Sequence, residues 1–270
     1  MQKYRYLVLS DLDGTLLNSH GELSEETIAY VKELNRRNDI LFCFSTGRCW
    51  RDAKEIYAKL ELKGFASCCN GAYIYDPHQE LIRYSFISEK FLNYFLHNKD
   101  FISGLMKGDV LTDKMHLPLT KDNATEVLNK IRELEANVYG IKNYYDYTQP
   151  IEDFNRLMVN RINALRSFDF PPNVTVFNYD NFLNMEIQAS YVNKELVVDF
   201  LGNYYGVAPE NILTFGDQVN DLSPAMGKSR FCAVSNAIDL IKQNATLVSK
   251  YSNDENAVIR EIELFLRDKK

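Results

Sequence analysis

Three short segments of this 270-residue chain are apolar without alternation, and each runs directly into small polar or acidic residues. Strands buried on both faces of a parallel sheet have this pattern, whereas half-exposed strands alternate. In an open parallel sheet, ligands bind in the crevice at the carboxyl ends of the strands. The pattern therefore predicts one crevice lined by the residues that follow Tyr6–Ser10, Ile40–Ser45 and Ile212–Phe215.

Helical patterns alternate with these strands. Ser24 is a predicted helix N-cap, and the two glutamates after it suit the first turn, where the helix dipole favours acids. We expect this helix to end near Asn38, and apolar stripes predict further helices over 193–201 and 254–267. The alternation of strands and helices predicts an α/β fold with a doubly wound, Rossmann-like parallel-sheet core.

In the middle of the chain, strands and helices no longer alternate. This change predicts a separate α+β insertion over 84–185, between two parts of the core, 1–83 and 186–270. Within it, amphipathic patterns predict helices at 89–97 and 125–135, and an apolar run predicts a strand at 174–177.

A tyrosine-rich stretch, Tyr139 to Tyr147, also falls in this insertion. We expect its rings to pack inside a small core of the insertion, and stacking on the ring of a substrate is the alternative.

Composition limits the possible partners. The formal net charge is −6 and there is no long Lys/Arg run, so a nucleic-acid partner is not expected. No stretch approaches the roughly 20 apolar residues of a membrane span, and the first residues do not read as a signal peptide, so we expect a cytoplasmic protein without membrane association. Five cysteines without a CxxC pair predict buried, reduced thiols and no zinc site. The oligomeric state is left open.

The first motif that carries chemistry is DLDGTL at 11–16, directly after a predicted buried strand. Asp11 and Asp13 can converge there on one small volume, and Gly14 allows a sharp turn. Clustered carboxylates require a cation, and hard oxygen ligands suit Mg²⁺. A carboxylate can also act as a nucleophile toward phosphorus. Taken alone, such a pair also occurs in solvated turns.

Three further elements are weak signals alone. Thr46 and Gly47 in STGR, before a predicted helix, suit an anion site or an ordinary capped turn. Lys194 at a helix start is a phosphate ligand or a solvated side chain. GDQVND at 216–221 is a ligand-bearing or a merely acidic loop. Because all four elements lie at strand or helix ends, their combination favours a single site.

The combination of DLDGTL, STGR, a lone lysine and GDQVND resembles the haloacid dehalogenase superfamily of phosphatases. The long insertion resembles that of its Cof-type branch. Two short motifs also resemble motifs of this branch: Asn70-Gly71-Ala72 and the run Val234-Ser235-Asn236-Ala237. The resemblance covers residues 4–84 and 185–270, and it implies that the insertion is a cap domain that determines substrate specificity.

The resemblance also implies a role for each matching residue. Asp11 corresponds to the nucleophile and Asp13 to the general acid/base. The implied phosphate-binding residues are Thr46, Gly47, Lys194 and Asn220. The implied Mg²⁺ ligands are a carboxylate oxygen of Asp11, the main-chain carbonyl of Asp13 and the acid Asp217, supported by Asp221.

The implied reaction is magnesium-dependent hydrolysis of a small phosphorylated metabolite, such as a sugar phosphate, through an aspartyl-phosphate intermediate. Two alternatives remain open: a phosphomutase acting on a sugar phosphate, and a non-catalytic protein that binds a phosphate ligand. Dehalogenation fits less well, because it has little need for the cation that these clustered acids require.

Overall fold

The computed structural model describes residues 4–98, 101, 105–146, 172–178 and 182–269. Its strands are β1 Tyr6–Ser10, β2 Ile40–Ser45, β3 Ala66–Cys68, β4 Tyr73–Tyr75, β5 Leu81–Tyr84, β6 Leu105–Thr112, β7 His116–Leu119, β8 Val138–Asp146, β9 Asn173–Asn178, β10 Phe182–Gln188, β11 Ile212–Gly216, β12 Arg230–Ala233 and β13 Leu247–Val248. Its helices are α1 Glu25–Leu34, α2 Trp50–Lys59, α3 Glu89–His97, α4 Ala124–Glu133, α5 Lys194–Tyr205, α6 Leu222–Ala225, α7 Asp239–Asn244 and α8 Ala257–Asp268.

The chain forms two compact units, of which the first combines Met1–Tyr84 with Asn193–Lys270 and the second is Ser85–Val192. We expected the insertion to end at 185, but the second unit ends at 192. The reason is that β10 pairs with β8 and β9, so its last residues belong to the sheet of the second unit.

An eight-stranded sheet forms the centre of the first unit, in the order β13-β12-β11-β1-β2-β3-β4-β5. Strand β1 runs parallel to both β2 and β11, and all three are buried along their whole length. The antiparallel strands β4 and β5 extend one edge. The parallel α/β core expected from the continuously apolar segments is confirmed.

Side-chain caps explain where α1 begins and ends. The Ser24 side chain accepts a hydrogen bond from the Thr27 N–H, as expected for an N-cap. The expected end near Asn38 is wrong, because α1 ends at Leu34. Beyond it, the Asn35 side-chain amide donates to the Leu60 and Glu61 carbonyl oxygens, which binds this end of α1 to the end of α2.

The two helices predicted in the last third of the chain exist with shifted bounds. Helix α5 begins after the N-cap Asn193 and runs on to Gly206, which has a left-handed conformation with φ +67°. Helix α8 begins at Ala257 and not at Asp254. There a 3₁₀ turn precedes Asn256, whose φ of +59° interrupts the helical path.

The second unit is built on an antiparallel sheet in the order β7-β6-β8-β10-β9. Alternate residues of its strands, among them Ile141, Met185 and Ile187, form one buried apolar cluster with residues of α3 and α4. The predicted helix at 89–97 matches α3, and the second predicted helix matches α4 within two residues at each end. The insertion is therefore an α+β unit with its own core.

The tyrosines of this unit are part of that packing. Tyr139 and Tyr145 are buried, and the Tyr145 hydroxyl donates to the Phe101 carbonyl oxygen at 3.0 Å. The Tyr144 ring lies 5.0 Å from the Lys107 ammonium. These contacts favour the packing interpretation, and Tyr147 lies outside the described residues.

Two expectations from composition concern thiols and membranes. All five cysteines are buried and free of disulfide bonds, and burial raises the pKa of the Cys43 thiol to about 12, which keeps it protonated. In the described part of the chain, no helix has the length and apolar character that crossing a bilayer requires.

Candidate active site

Asp11 lies directly beyond β1, at the carboxyl edge of the parallel sheet. Its main-chain N–H donates to the Phe215 carbonyl oxygen at 3.1 Å, which ties this loop to the end of β11. Its side chain is 6% exposed and lies 2.9 Å from the Lys194 ammonium. The sheet therefore brings together two residues that are far apart in the chain.

Lys194 is the first residue of α5 and is buried, with 3% of its side chain exposed. Its ammonium donates to Asp221 at 2.7 Å and also contacts Asp11. Burial disfavours the charged form, but attraction to Asp11 and Asp221 outweighs this effect and raises the pKa of Lys194. Lys194 therefore supplies a permanent positive charge at this edge of the sheet.

Asp11, Asp217 and Asp221 form a buried cluster in which one carboxylate oxygen of each lies within 4.8 Å of the others. Burial, and then repulsion by Asp221, raises the pKa of Asp217 to about 7. Burial likewise raises the pKa of Asp11, although Lys194 opposes the shift. Three buried carboxylates against one ammonium leave an excess of negative charge, and hard oxygen donors with such an excess fit a divalent cation.

Two glycines allow the main chain to pack directly against these carboxylates. Gly14 has φ +69°, and a Cβ atom there would lie 2.4 Å from the Asp217 Oδ2 atom. A Cβ atom at Gly216 would lie 2.2 Å from the Asp221 Cγ atom. Any other residue at either position would displace an acid of the cluster, so the glycines are part of the site's construction.

Hydrogen bonds fix the orientation of Asp217 and Asp221, the two acids of the GDQVND motif. The Thr15 hydroxyl donates to the Asp217 Oδ1 atom at 2.8 Å. The Asp221 Oδ2 atom accepts the N–H groups of Asp217 and Gln218, at 3.0 and 3.1 Å. The contact of Thr15 was not predicted, although its position in the DLDGTL motif is the sequence signal that points to it.

Asp13 lies in a different environment from Asp11. Its side chain is 56% exposed and contacts the Arg48 guanidinium through both oxygens, at 2.8 and 2.5 Å. Among the described residues, its carboxylate is not part of the buried cluster. The metal-ligand role of its main-chain carbonyl, which the family resemblance implies, stays a prediction. The contact with Arg48 was missed, although Arg48 stands in the STGR motif.

The expected phosphate-binding residues come from several motifs. Thr46 is buried, and its hydroxyl accepts the Arg48 N–H at 3.1 Å. A Cβ atom on Gly47 would lie 3.4 Å from the Asn70 Oδ1 atom and 3.8 Å from the Asn220 Nδ2 atom, so these three residues adjoin. The Asn220 Nδ2 atom donates to the Asn70 Oδ1 atom at 3.0 Å. The STGR, Asn-Gly-Ala and GDQVND motifs thus meet at one place.

Known proteins match this chain over nearly its whole length. The profile of haloacid dehalogenase-like hydrolases matches residues 8–262. The 5-amino-6-(5-phospho-D-ribitylamino)uracil phosphatase of Bacillus subtilis is 26% identical over 96% of this chain and 97% of its own length. The HMP-PP phosphatase of Serratia proteamaculans is 24% identical, over 87% of this chain and 86% of its own length.

Solved structures show the same fold. A haloacid dehalogenase-like hydrolase from B. subtilis superposes with a TM-score of 0.76 at 22% identity, covering 96% of this chain and 99% of its own. A subclass IIB sugar phosphatase of the superfamily superposes with a TM-score of 0.71 at 18% identity, covering 96% of this chain and 98% of its own. The resemblance and the hydrolase class predicted from the motifs are confirmed: this chain belongs to the haloacid dehalogenase-like hydrolase family.

Proposed function

We propose that this protein is a magnesium-dependent phosphatase that hydrolyses a small phosphorylated metabolite through an aspartyl phosphate on Asp11. The observation that carries the proposal is the buried cluster of Asp11, Asp217 and Asp221 against the single ammonium of Lys194. The phosphatase names of the relatives support the choice of phosphate esters as substrates.

The donor set suits Mg²⁺. Its ligands would be the carboxylates of Asp11 and Asp217 and the main-chain carbonyl of Asp13, with Asp221 in support. Formally, the buried carboxylates of Asp11, Asp217 and Asp221 carry three negative charges and the Lys194 ammonium carries one positive charge. The two remaining negative charges equal the charge of one divalent cation. When bound, Mg²⁺ would reduce the repulsion between the Asp11 carboxylate and the phosphate dianion.

In the first step, a carboxylate oxygen of Asp11 attacks phosphorus while the bond from phosphorus to the leaving oxygen breaks. Lys194 and the Thr46 hydroxyl bind oxygens of the transferring phosphoryl group. Asp13 gives a proton to the leaving oxygen, so that the product departs as a neutral alcohol. The exposure of the Asp13 side chain supports this role, since it lets the carboxyl group meet a leaving group that comes from solvent.

In the second step, water attacks the phosphorus of the aspartyl phosphate and Asp13 takes the proton that the water loses. The bond from phosphorus to the Asp11 oxygen breaks, which releases inorganic phosphate and restores the carboxylate. Asp13 ends the cycle protonated, ready for the next leaving group.

We further propose that the second unit, Ser85–Val192, is the cap that selects the leaving group. Ligand pockets of the usual size suit a metabolite under roughly 500 Da, and caps that act as lids exclude larger leaving groups. A panel of sugar phosphates, nucleotides, pyridoxal phosphate and one phosphoprotein tests this point, and a preference for the phosphoprotein over every small ester would contradict it.

The central experiment measures p-nitrophenol and inorganic phosphate released from p-nitrophenyl phosphate by EDTA-treated protein, with and without added Mg²⁺. We expect activity only with Mg²⁺, and a loss of about 100-fold or more for Asp11→Asn and for Asp13→Ala. Acid-quenched wild-type protein should carry a phosphoryl group on the peptide that contains Asp11. Near wild-type turnover by purified Asp11→Asn would refute the mechanism.

A further inference from the structure

The Arg48 side chain connects two motifs that both border the site. Its Nε atom donates to the Asp13 Oδ2 atom at 2.8 Å and its Nη2 atom donates to the Asp13 Oδ1 atom at 2.5 Å. Two parallel contacts between a planar guanidinium and a planar carboxylate restrict rotation of the carboxylate as well as its position. The orientation of the Asp13 carboxylate is therefore determined by a residue of the STGR motif.

The orientation of the Asp13 carboxylate depends on its contact with Arg48, because Asp13 is not held by burial as the other acids are. The Asp11 side chain is 6% exposed, whereas that of Asp13 is 56% exposed. Within the described part of the chain, Arg48 is the hydrogen-bond partner of the Asp13 carboxylate. Without Arg48, an exposed carboxylate beside the negative charge of the buried cluster would rotate freely and be repelled toward solvent.

Arg48 is itself well anchored. Its main-chain N–H donates to the Thr46 hydroxyl at 3.1 Å, and its carbonyl oxygen accepts the Cys69 N–H at 2.9 Å. Its side chain is 28% exposed. The guanidinium thus extends from a segment that is hydrogen-bonded on both sides, which is what a residue that orients another requires.

We infer that Arg48 is a positioning residue that holds the Asp13 carboxyl group in the orientation needed for proton transfer to and from oxygen. The inference rests on the proposed function. Partly exposed ion pairs contribute little net stability, so one of the two contacts can open toward the leaving oxygen while the other keeps the carboxyl group in place. Arg48 acts through Asp13 and makes no contact with the substrate.

The test compares Arg48→Met and Arg48→Lys with the wild type on an alkyl ester, glucose 6-phosphate, and an aryl ester, p-nitrophenyl phosphate. Arg48→Met should lower kcat for the alkyl ester by about 10- to 100-fold, because a misplaced catalytic group can cost that much. KM should change by less than about 2-fold, since substrate binding is not involved. The loss should be smaller for the aryl ester, because nitrophenolate leaves without a proton and only the base role of Asp13 in the second step is then affected.

A double-mutant cycle separates positioning from direct contact with the substrate. In the Asp13→Ala background, Arg48→Met should cause no further loss, because the group it positions is already gone. Arg48→Lys should retain part of the rate through one remaining contact. Arg51→Met removes an exposed arginine of the same segment and should leave the rate unchanged.

Multiplied losses in the Asp13→Ala background, or a rise in KM with kcat intact, would overturn the inference and indicate direct substrate contact. Wild-type kcat in Arg48→Met would also overturn it, while the proposed function would stand if Asp13→Ala is inactive. Absence of turnover by the wild type on every ester would instead refute the proposed function. If thermal melting shows Arg48→Met to be unfolded, Arg48→Lys carries the same comparison.

Discussion

The two units differ in how many buried carboxylates lie near each lysine ammonium. In the first, the carboxylates of Asp11, Asp217 and Asp221 lie together, and the Lys194 ammonium contacts two of them, Asp11 and Asp221. In the second, the Glu186 carboxylate, 7% exposed, lies 2.8 Å from the Lys142 ammonium, which is 28% exposed. By strand alternation, Glu186 lies on the sheet face opposite the apolar residues Met185 and Ile187.

A buried acid has a different meaning in each of these two surroundings. A buried acid beside a partly exposed lysine is compatible with a purely structural role. Three buried acids that share one lysine are unfavourable as they stand, and proteins keep such arrangements where they bind a ligand or do chemistry. The two sheets differ in how many buried acids lie beside each cation: three near Lys194 in the first, and one beside Lys142 in the second.

The largest expected effect comes from Lys194→Met. In EDTA, the substitution should lower the free energy of unfolding by about 3–5 kcal/mol, because it leaves buried carboxylates without a cation. Urea denaturation measures it, with Lys142→Met as the matched control in the second unit. Because Lys142 is more exposed, its loss should be smaller, and equal losses would contradict the distinction between the sheets.

Mg²⁺ should stabilise the first unit by binding to the buried carboxylates of Asp11, Asp217 and Asp221. For EDTA-treated wild type, Mg²⁺ at 100 times its Kd should raise the free energy of unfolding by about 2.7 kcal/mol. Asp217→Asn should lose most of this gain, whereas Glu186→Gln should retain it. A gain that depends equally on Asp217 and Glu186 would show that the cation does not bind at the cluster.

Glu186→Gln tests whether the ion pair of the second sheet contributes to stability. It replaces the carboxylate beside Lys142 with a neutral amide, so we expect a loss of about 1–3 kcal/mol in the free energy of unfolding, typical of a hydrogen bond to a charged group. Glu126→Gln, at an exposed position of α4, is the control and should change stability little. If Glu186→Gln were as mild as its control, the ion pair would contribute no stability.

The smallest expected effect is a gain in stability, where the other substitutions cause a loss. Asp217→Asn should raise the free energy of unfolding in EDTA by about 1 kcal/mol, because it removes one of the mutually repelling carboxylates while Thr15 keeps its acceptor. The same variant should be inactive. Chemical denaturation of both proteins in EDTA makes the comparison, and a destabilised Asp217→Asn would mean that the cluster is not strained without its cation.

Much of the first unit could be predicted because its signals are local. Apolar runs predicted β1 and β2 with their observed bounds. The N-cap Ser24 predicted the start of α1, and an apolar stripe predicted the start of α5 within one residue. The meeting of Asp11 with Asp217 followed from a general property of parallel sheets, whose strand ends share one edge.

The remaining features depend on contacts between distant residues. Helix α1 stops at Leu34 because Asn35 binds carbonyl groups some 25 residues further along the chain. The end of the insertion depends on the pairing of β10, which no local pattern reveals. The pairing of Arg48 with Asp13 likewise requires the three-dimensional path of two loops.

The pairing of β1 with β11 has a consequence for the synthesis of the chain. Leu7 to Ser10 pair with Ile212 to Phe215, which are synthesised much later. The hydrogen-bonding groups on one edge of β1 therefore stay unpaired until most of the chain has been made. At a translation rate of about 5–20 residues per second, this delay lasts roughly 10–40 s. During that interval, the nascent chain exposes an apolar edge that other nascent strands can pair with, and its need for chaperones should be greatest then.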